Sequence, residues 1–314
     1  MPAVNDKIFK ADYNNIRDKI VSVLGSSSSG NFGYGQLVQS SPVSESVKIS
    51  VNDWAKLRFD LINAATHING VAPSLVTVAE GGTVRYDLTT APVDQFNTMA
   101  DFIVNNRLTT PPNGQRITVN KGSTSTTWPG IYGSSWSTLA QCTITIDFST
   151  SAAARHFFNS GGYVTISTAQ SGGSAIQQNT AWRNLLAAAG GRSFGGNQPN
   201  TGTSPQDGQN FFRCTSSFQN WYSANASSPY GSNSLILQAR TPLVTNNATG
   251  SANVLEIRVL FQDNHVGNSG GPDFVDGTFT IAVETLEAFG VMQPITAGNF
   301  TVESPRVTLP AITN

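Results

Sequence analysis

Charge is what this sequence has least of. Asp, Glu, Lys and Arg make up 12% of its 314 residues, about half the usual share of a soluble protein. The formal net charge is -1. A surface that neutralises several phosphates needs an excess of Lys and Arg, so no nucleic-acid partner is expected. Long apolar runs are missing too. No stretch of 18 apolar residues occurs, which excludes a spanning helix and with it a membrane partner. The first residues, MPAVNDKIFK, lack a basic stretch followed by an apolar one, so no signal peptide is expected. Cysteine is nearly absent. Cys142 and Cys214 stand alone, and in a chain made in a reducing cytosol both are expected free and buried.

In place of charge stand Ser, Thr, Asn and Gln, which account for 109 of 314 residues, with 29 Gly and 15 Pro beside them. Disorder needs low hydrophobicity together with high net charge. An apolar content of 39% at near-neutral charge meets neither condition. The chain is expected to fold.

All six lysines fall within the first 121 residues, and the apolar pattern changes near the same place. Before residue 110 the spacing is helical. Tyr13, Ile16, Ile20 and Val23 share one face of a helix over 12–24, with Gly25 to stop it. Trp54, Leu57, Leu61, Ala65 and Ile68 do so over 53–68, with Ser50 or Asn52 as cap and Gly70 after the end. A third helix over 93–106 presents Phe96, Met99 and Ile103. The first two helices look like one unit used twice: KIFKADYNNIRDKI (7–20) aligns with KISVNDWAKLRFDL (48–61), and each places an aromatic in the first helical turn. Two short units are too few for a solenoid. Their apolar faces pack on each other or on neighbouring subunits, and Tyr13, Ile16, Ile20, Trp54, Leu57 and Leu61 are the expected assembly interface.

The Pro-, Gly-, Ser- and Thr-dense stretch 111–127 is the expected linker. Beyond it the period becomes two. Strands are expected at 142–148, 162–167, 235–239, 254–261, 277–283 and 306–309, with helices at 151–159 and 179–189 between them. The segment 193–234 reads as a long polar loop. The fold expected is α+β and predominantly β: short amphipathic N-terminal helices (1–110), then an antiparallel β-sandwich with long loops (128–314).

Candidate chemistry is sparse. Gly267-Asn268-Ser269-Gly270-Gly271-Pro272 looks like the nucleophile loop of chymotrypsin-like serine proteases, with His67 upstream and Asp94 or Asp101 for the third position. Such a triad needs its histidine just after a strand, whereas the spacing around His67 is helical. The loop is expected to be an inter-strand turn, and a protease is the remote alternative. His265, Asp263, Asp273 and Asp276 cluster in sequence but show neither calcium nor zinc spacing, so solvated turn residues are expected and no metal or cofactor. His156, beside Phe157 and Phe158, reads as a packed helix residue. GNFGYGQ (30–36) lacks the Lys-Ser/Thr ending of a phosphate loop. Trp128, Tyr132, Trp136, Trp221, Tyr222 and Tyr230 lie among polar residues, where aromatics stack on sugars or form subunit contacts. Trp221, Tyr222 and Tyr230 are the candidates for such loop contacts.

Several segments, taken in order, resemble a known family. These are DYNNIRDKIVSVLGSSSSGNFGYGQ (12–36), THING (66–70), ARHFFNSGGYVTIS (154–167) and FQDNHVGNSGGPDFVDGTFTIAV (261–283). Together they are similar to structural proteins of tailed bacteriophages, above all myovirus-type cyanophages and other marine phages. Related sequences more often carry Gln after the histidine of THING. The resemblance implies a non-enzymatic virion component, associated with tail, neck or fibre, assembled in the host cytoplasm and partnered by copies of itself and neighbouring virion proteins. It brings no catalytic residues. A capsid decoration protein and an adhesin for a host cell-surface glycan are the alternatives.

Overall fold

The computed structural model describes residues 10–26, 33–45, 48–80, 92–109, 111–129, 138–196, 209–265, 274–288, 299–302 and 306–308. The chain divides into two compact units. Unit 1 holds 1–117, 155–162 and 287–296; unit 2 holds 118–154, 163–286 and 297–314.

Unit 1 is helical. Helices α1 (Lys10–Leu24), α2 (Val51–Asn69) and α3 (Pro92–Asn106) pack pairwise against one another. Each buries one stripe at helical spacing: Tyr13, Ile16, Ile20 and Val23 in α1; Trp54, Leu57, Leu61 and Ala65 in α2; Val93, Phe96, Ala100 and Ile103 in α3. The stripes meet in an aromatic cluster. Tyr13 stands edge-on to Trp54 at 5.2 Å, and Trp54 lies 5.7 Å from Phe96. Helix α2 starts with a reciprocal cap, in which Ser50 Oγ accepts from Asp53 N–H and Asp53 Oδ2 accepts from Ser50 N–H. It ends at Gly70, whose φ of 75° is a left-handed stop. The extended segment 33–45 is tied to these helices by polar side chains. Asn14 exchanges two hydrogen bonds with the Val43 backbone. The fully buried Asp60 accepts from the N–H groups of Gln39 and Ser40 at 3.0 and 2.8 Å. The fourth helix, α4 (Ser151–Asn159), contributes Arg155–Asn159 to this unit.

The expected boundary at 110 lies close to the break at 117, but 111–127 is not a linker. It forms most of strand β1 (Arg116–Pro129), whose polar sequence RITVNKGSTSTTWP gives no apolar alternation to read.

Unit 2 is built from two sheets. The first has the order β1-β8-β3-β4, where β3 is Tyr163–Ser171, β4 Arg192–Gly195 and β8 Asp276–Ala288. The second has the order β10-β2-β7-β6-β5, with β9 also on β2. Its members are β2 (Thr138–Asp147), β5 (Gln219–Asn225), β6 (Ser234–Arg240), β7 (Val254–Asp263), β9 (Asn299–Val302) and β10 (Arg306–Thr308). Pairing is antiparallel, with Ile144 opposite Ile257 in the β2–β7 pair and Leu237 opposite Val259 in β6–β7. Leu255, Ile257, Val259 and Phe261 of β7 are buried, as are Phe279, Ile281 and Val283 of β8. The sheets meet through these faces: Phe261 lies 5.0 Å from Phe279, and Phe194 5.3 Å from Trp221. Trp182 of α5 (Gln177–Ala189) stands edge-on to both Phe261 and Phe279. The α+β class with antiparallel sheets follows the sequence reading, while helix and strand hold nearly equal shares of the described residues.

The segment 193–234 differs from its expected loop. It contains β4, a 3-10 turn at Phe211–Arg213 and β5, while 197–208 lie outside the described residues. Strand β5 was hidden by a register shift between Asn220 and Tyr222. A bulge turns two consecutive residues inward, so Trp221 and Tyr222 are both buried and period two is broken.

Candidate functional site

The segments 33–36, 66–70 and 156–160 of unit 1 interlock, although they are far apart in sequence. The Gly-Tyr-Gly-Gln stretch returns along the end of α1. Tyr34 N–H donates to Val23 O at 2.8 Å, Gly35 N–H to Gly25 O at 3.0 Å and Gln36 N–H to Leu24 O at 2.9 Å. The Tyr34 side chain is buried, its hydroxyl donates to the Arg107 carbonyl, and burial pushes its pKa up. The His67 ring, on the last turn of α2, lies 4.9 Å from the Tyr34 ring. His67 Nε2 is 2.9 Å from the Ser160 carbonyl. A carbonyl only accepts, so Nε2 carries the proton and donates. Asn159 Nδ2 donates to the Gly33 carbonyl at 3.1 Å.

Gly35 completes the joint. Its φ is +70°, and a Cβ there would come 2.2 Å from His156 Nδ1. Only glycine accepts both that dihedral and that approach.

The electrostatics of this hub are those of packing. His67 is fully buried, and desolvation lowers its pKa to about 4. Its Nδ1 is buried with no hydrogen-bond partner among the described residues. His156 is also held below the usual imidazole range, by burial first and then by the neighbouring Arg155 charge. A neutral imidazole sealed from solvent and donating to a backbone carbonyl orients chain segments. It has no access to a substrate in this conformation.

The expected assembly interface requires a correction. Tyr13, Ile16, Ile20, Trp54, Leu57 and Leu61 are all 2% exposed or less. They form the core of unit 1 because the two repeated helices bury their apolar faces on each other and on α3. The loop-contact candidates are corrected likewise. Trp221 and Tyr222 are buried on β5, and Tyr230 is buried in the turn between β5 and β6. Arg192 stacks on the Tyr222 ring, 4.3 Å from its centroid. The side chains of Trp128, Tyr132 and Trp136 lie outside the described residues.

The protease-like loop with Ser269 also lies outside the described residues, as does Asp273. Asp101, on α3, is paired with Lys19. The other acidic candidates for a metal act as structural acceptors, Asp263 buried and Asp276 in contact with solvent. Asp263, 4% exposed, accepts from Gln178 Nε2 at 2.9 Å. Asp276 accepts from the Ser174 N–H and Oγ and from Asn179, ahead of and within the first turn of α5. His265 is buried edge-on to Tyr230, with ring centroids 4.6 Å apart. Among the described residues, no group of three or more His, Cys, Asp and Glu could hold a metal ion.

Sequence reasoning passed over the buried polar anchors. Asp60 stands at the edge of an apolar stripe, which is the signal that could have marked it. Gln178 binds Asp263 through Nε2 and accepts from the Phe274 N–H through Oε1, so one side chain holds the end of β7 and the segment that leads into β8. Nothing local in the sequence announces that role. Compared with known protein families, with curated proteins and with solved structures, the chain matches none.

Proposed function

We propose that this chain is a non-enzymatic structural subunit of a tailed-phage virion, placed at the tail, neck or fibre. The observation that supports this reading is the hub of unit 1. In the family-like segments, His67 bonds the Ser160 carbonyl, Asn159 bonds the Gly33 carbonyl, and Tyr34–Gln36 donate to the backbone at the end of α1. Packing accounts for these motifs without a reaction to perform.

Low charge supports the same reading. A surface rich in amides and hydroxyls packs against many copies of itself with little electrostatic repulsion. With the six helical residues in the interior, three of the exposed apolar side chains of unit 1 take over the subunit contact in this proposal: Leu37 at 79% exposure, Phe59 at 51% and Val71 at 72%.

The test is quantitative mass spectrometry of purified particles of the phage whose genome encodes the chain, with antibody labelling by electron microscopy. The chain is expected in several copies per particle, with label on the tail, neck or fibre. Absence from washed particles would overturn the proposal. Label confined to the head would replace it with capsid decoration.

A further inference from the structure

Unit 2 contains a cleft that the structural role leaves unused. Its volume is about 360 Å3, and it lies between α5 and the turn joining β5 to β6. Gln177, Thr180 and Asn184 line one wall, at positions i, i+3 and i+7 of α5, so they share one face of the helix. Ser227, Ser228 and Pro229 form the opposite wall, and Tyr230 closes it beside them. Among the described residues, no ionisable Asp, Glu, Lys, Arg or His side chain lines it.

The side chains of Gln177, Asn184, Ser227 and Ser228 are exposed and make no hydrogen bond among the described residues. That contrasts with the polar residues around them, which are committed. Asn179 binds Asp276, Gln178 binds Asp263, and Asn233 accepts from the N–H groups of Asn264 and His265. The walls are also held in place. Tyr230 N–H donates to Ser227 O at 2.9 Å, Asn233 N–H to Tyr230 O at 3.0 Å and Ala226 N–H to Asn233 O at 2.9 Å. The Tyr230 ring is fixed against His265. A cleft rigid before binding loses little entropy when a ligand enters.

From this geometry we propose that the cleft between α5 and the β5–β6 turn binds a neutral saccharide. The chemistry of the lining selects the class. A charged ligand would give up its hydration with no counter-charge among the described lining residues. An apolar ligand would cover four uncharged polar side chains and leave them unpaired, which costs about 1–3 kcal/mol for each one buried. A neutral ligand dense in hydroxyls avoids both losses. The amides of Gln177 and Asn184 each offer donors and an acceptor, and the serine hydroxyls offer both as well, which matches adjacent sugar hydroxyls. Pro229 supplies an apolar face for ring C–H groups. Small-molecule sites run from about 300 to 1,000 Å3, so this cleft takes one or two sugar rings.

The proposal is independent of the virion reading, since it concerns binding and not location. It is tested with the full chain by saturation-transfer NMR. The probes are methyl glycosides of glucose, galactose, mannose, rhamnose and N-acetylglucosamine with their disaccharides, alongside sialic acid, glucuronic acid and an uncharged Ser/Gly tetrapeptide. At least one neutral saccharide is expected to receive saturation at millimolar concentration. Asn184→Ala and Gln177→Ala, both at exposed positions, are each expected to weaken that binding about tenfold with the melting temperature unchanged. No transfer to any neutral saccharide overturns the proposal. So does transfer that survives both substitutions, or a preference for the acidic sugars or the tetrapeptide.

Discussion

Tyr13 and Trp54 occupy equivalent positions of the two repeated sequence units, and in the folded chain they face each other. Their ring centroids are 5.2 Å apart at an interplanar angle of 88°. The Tyr13 hydroxyl donates to the Asp53 carbonyl at 3.1 Å. The repeat therefore builds a pair within one chain, each unit supplying the aromatic that the other buries. Tyr13→Ala and Trp54→Ala are each expected to destabilise unit 1 by about 3–5 kcal/mol, the usual range for removing a buried aromatic. Tyr13→Phe loses only the hydroxyl bond, about 0.5–1.5 kcal/mol. A double-mutant cycle by urea unfolding should return a Tyr13–Trp54 coupling of about 0.5–1.5 kcal/mol. Zero coupling would mean that the two rings fill space independently.

Gly35→Ala is expected to destabilise the same unit by about 2–4 kcal/mol. The left-handed dihedral contributes about 1–2 kcal/mol, and the overlap with the His156 imidazole adds an overpacking cost. Adding His156→Ala relieves the overlap but leaves the dihedral. Gly35→Ala should therefore cost less in the His156→Ala background than in the native protein. Thermal melts of the four proteins separate these contributions.

Acid should loosen unit 1 through His67. Burial lowers its folded pKa to about 4 from the ordinary histidine value of 6.5, so between these limits the unfolded chain binds a proton that the folded chain does not. Stability then rises with pH across the window and is lost as pH falls from about 6.5 towards 4. A shift of this size corresponds to roughly 3 kcal/mol. Urea unfolding at steps from pH 7.5 to 4 should show the decline in the native protein. His67→Gln, which keeps an N–H for the Ser160 carbonyl and does not titrate, should show a shallower one. Parallel profiles would assign the acid sensitivity to other groups.

The two thiols should be silent in the native protein. Cys142 and Cys214 are both free and buried, and burial pushes the Cys214 pKa up to about 12. The thiolate is the reactive form, so an aromatic disulfide reagent at pH 8 is expected to titrate neither thiol before denaturation and both after it. Rapid labelling of the folded chain would contradict this burial.

Much of the helical layout was legible because periodicity is a local property. The stripes on α1, α2 and α3, the Ser50–Asp53 cap and the Gly70 stop are written within a few residues of where they act. Strands β2, β3, β6, β7 and β8 were readable through their alternation. Strand β1 was not, because its polar sequence presents no alternating face. Strand β5 was not, because the shift at Asn220–Tyr222 places two adjacent aromatics inward.

What the sequence determined by itself, then, was the kind of element and its buried side wherever the apolar period is regular, as in α1, α2, α3 and β7. What covers each side was a tertiary decision. The stripe that reads as a docking face for a neighbour is identical, residue by residue, to one that closes on another helix of the same chain, since burial free energy depends on area and not on whose atoms supply it. The same holds for polar groups. His67, Asn159 and Gln178 are ordinary residues in a list, and only folding brings a Ser160 carbonyl, a Gly33 carbonyl and an Asp263 carboxylate within hydrogen-bonding distance of them.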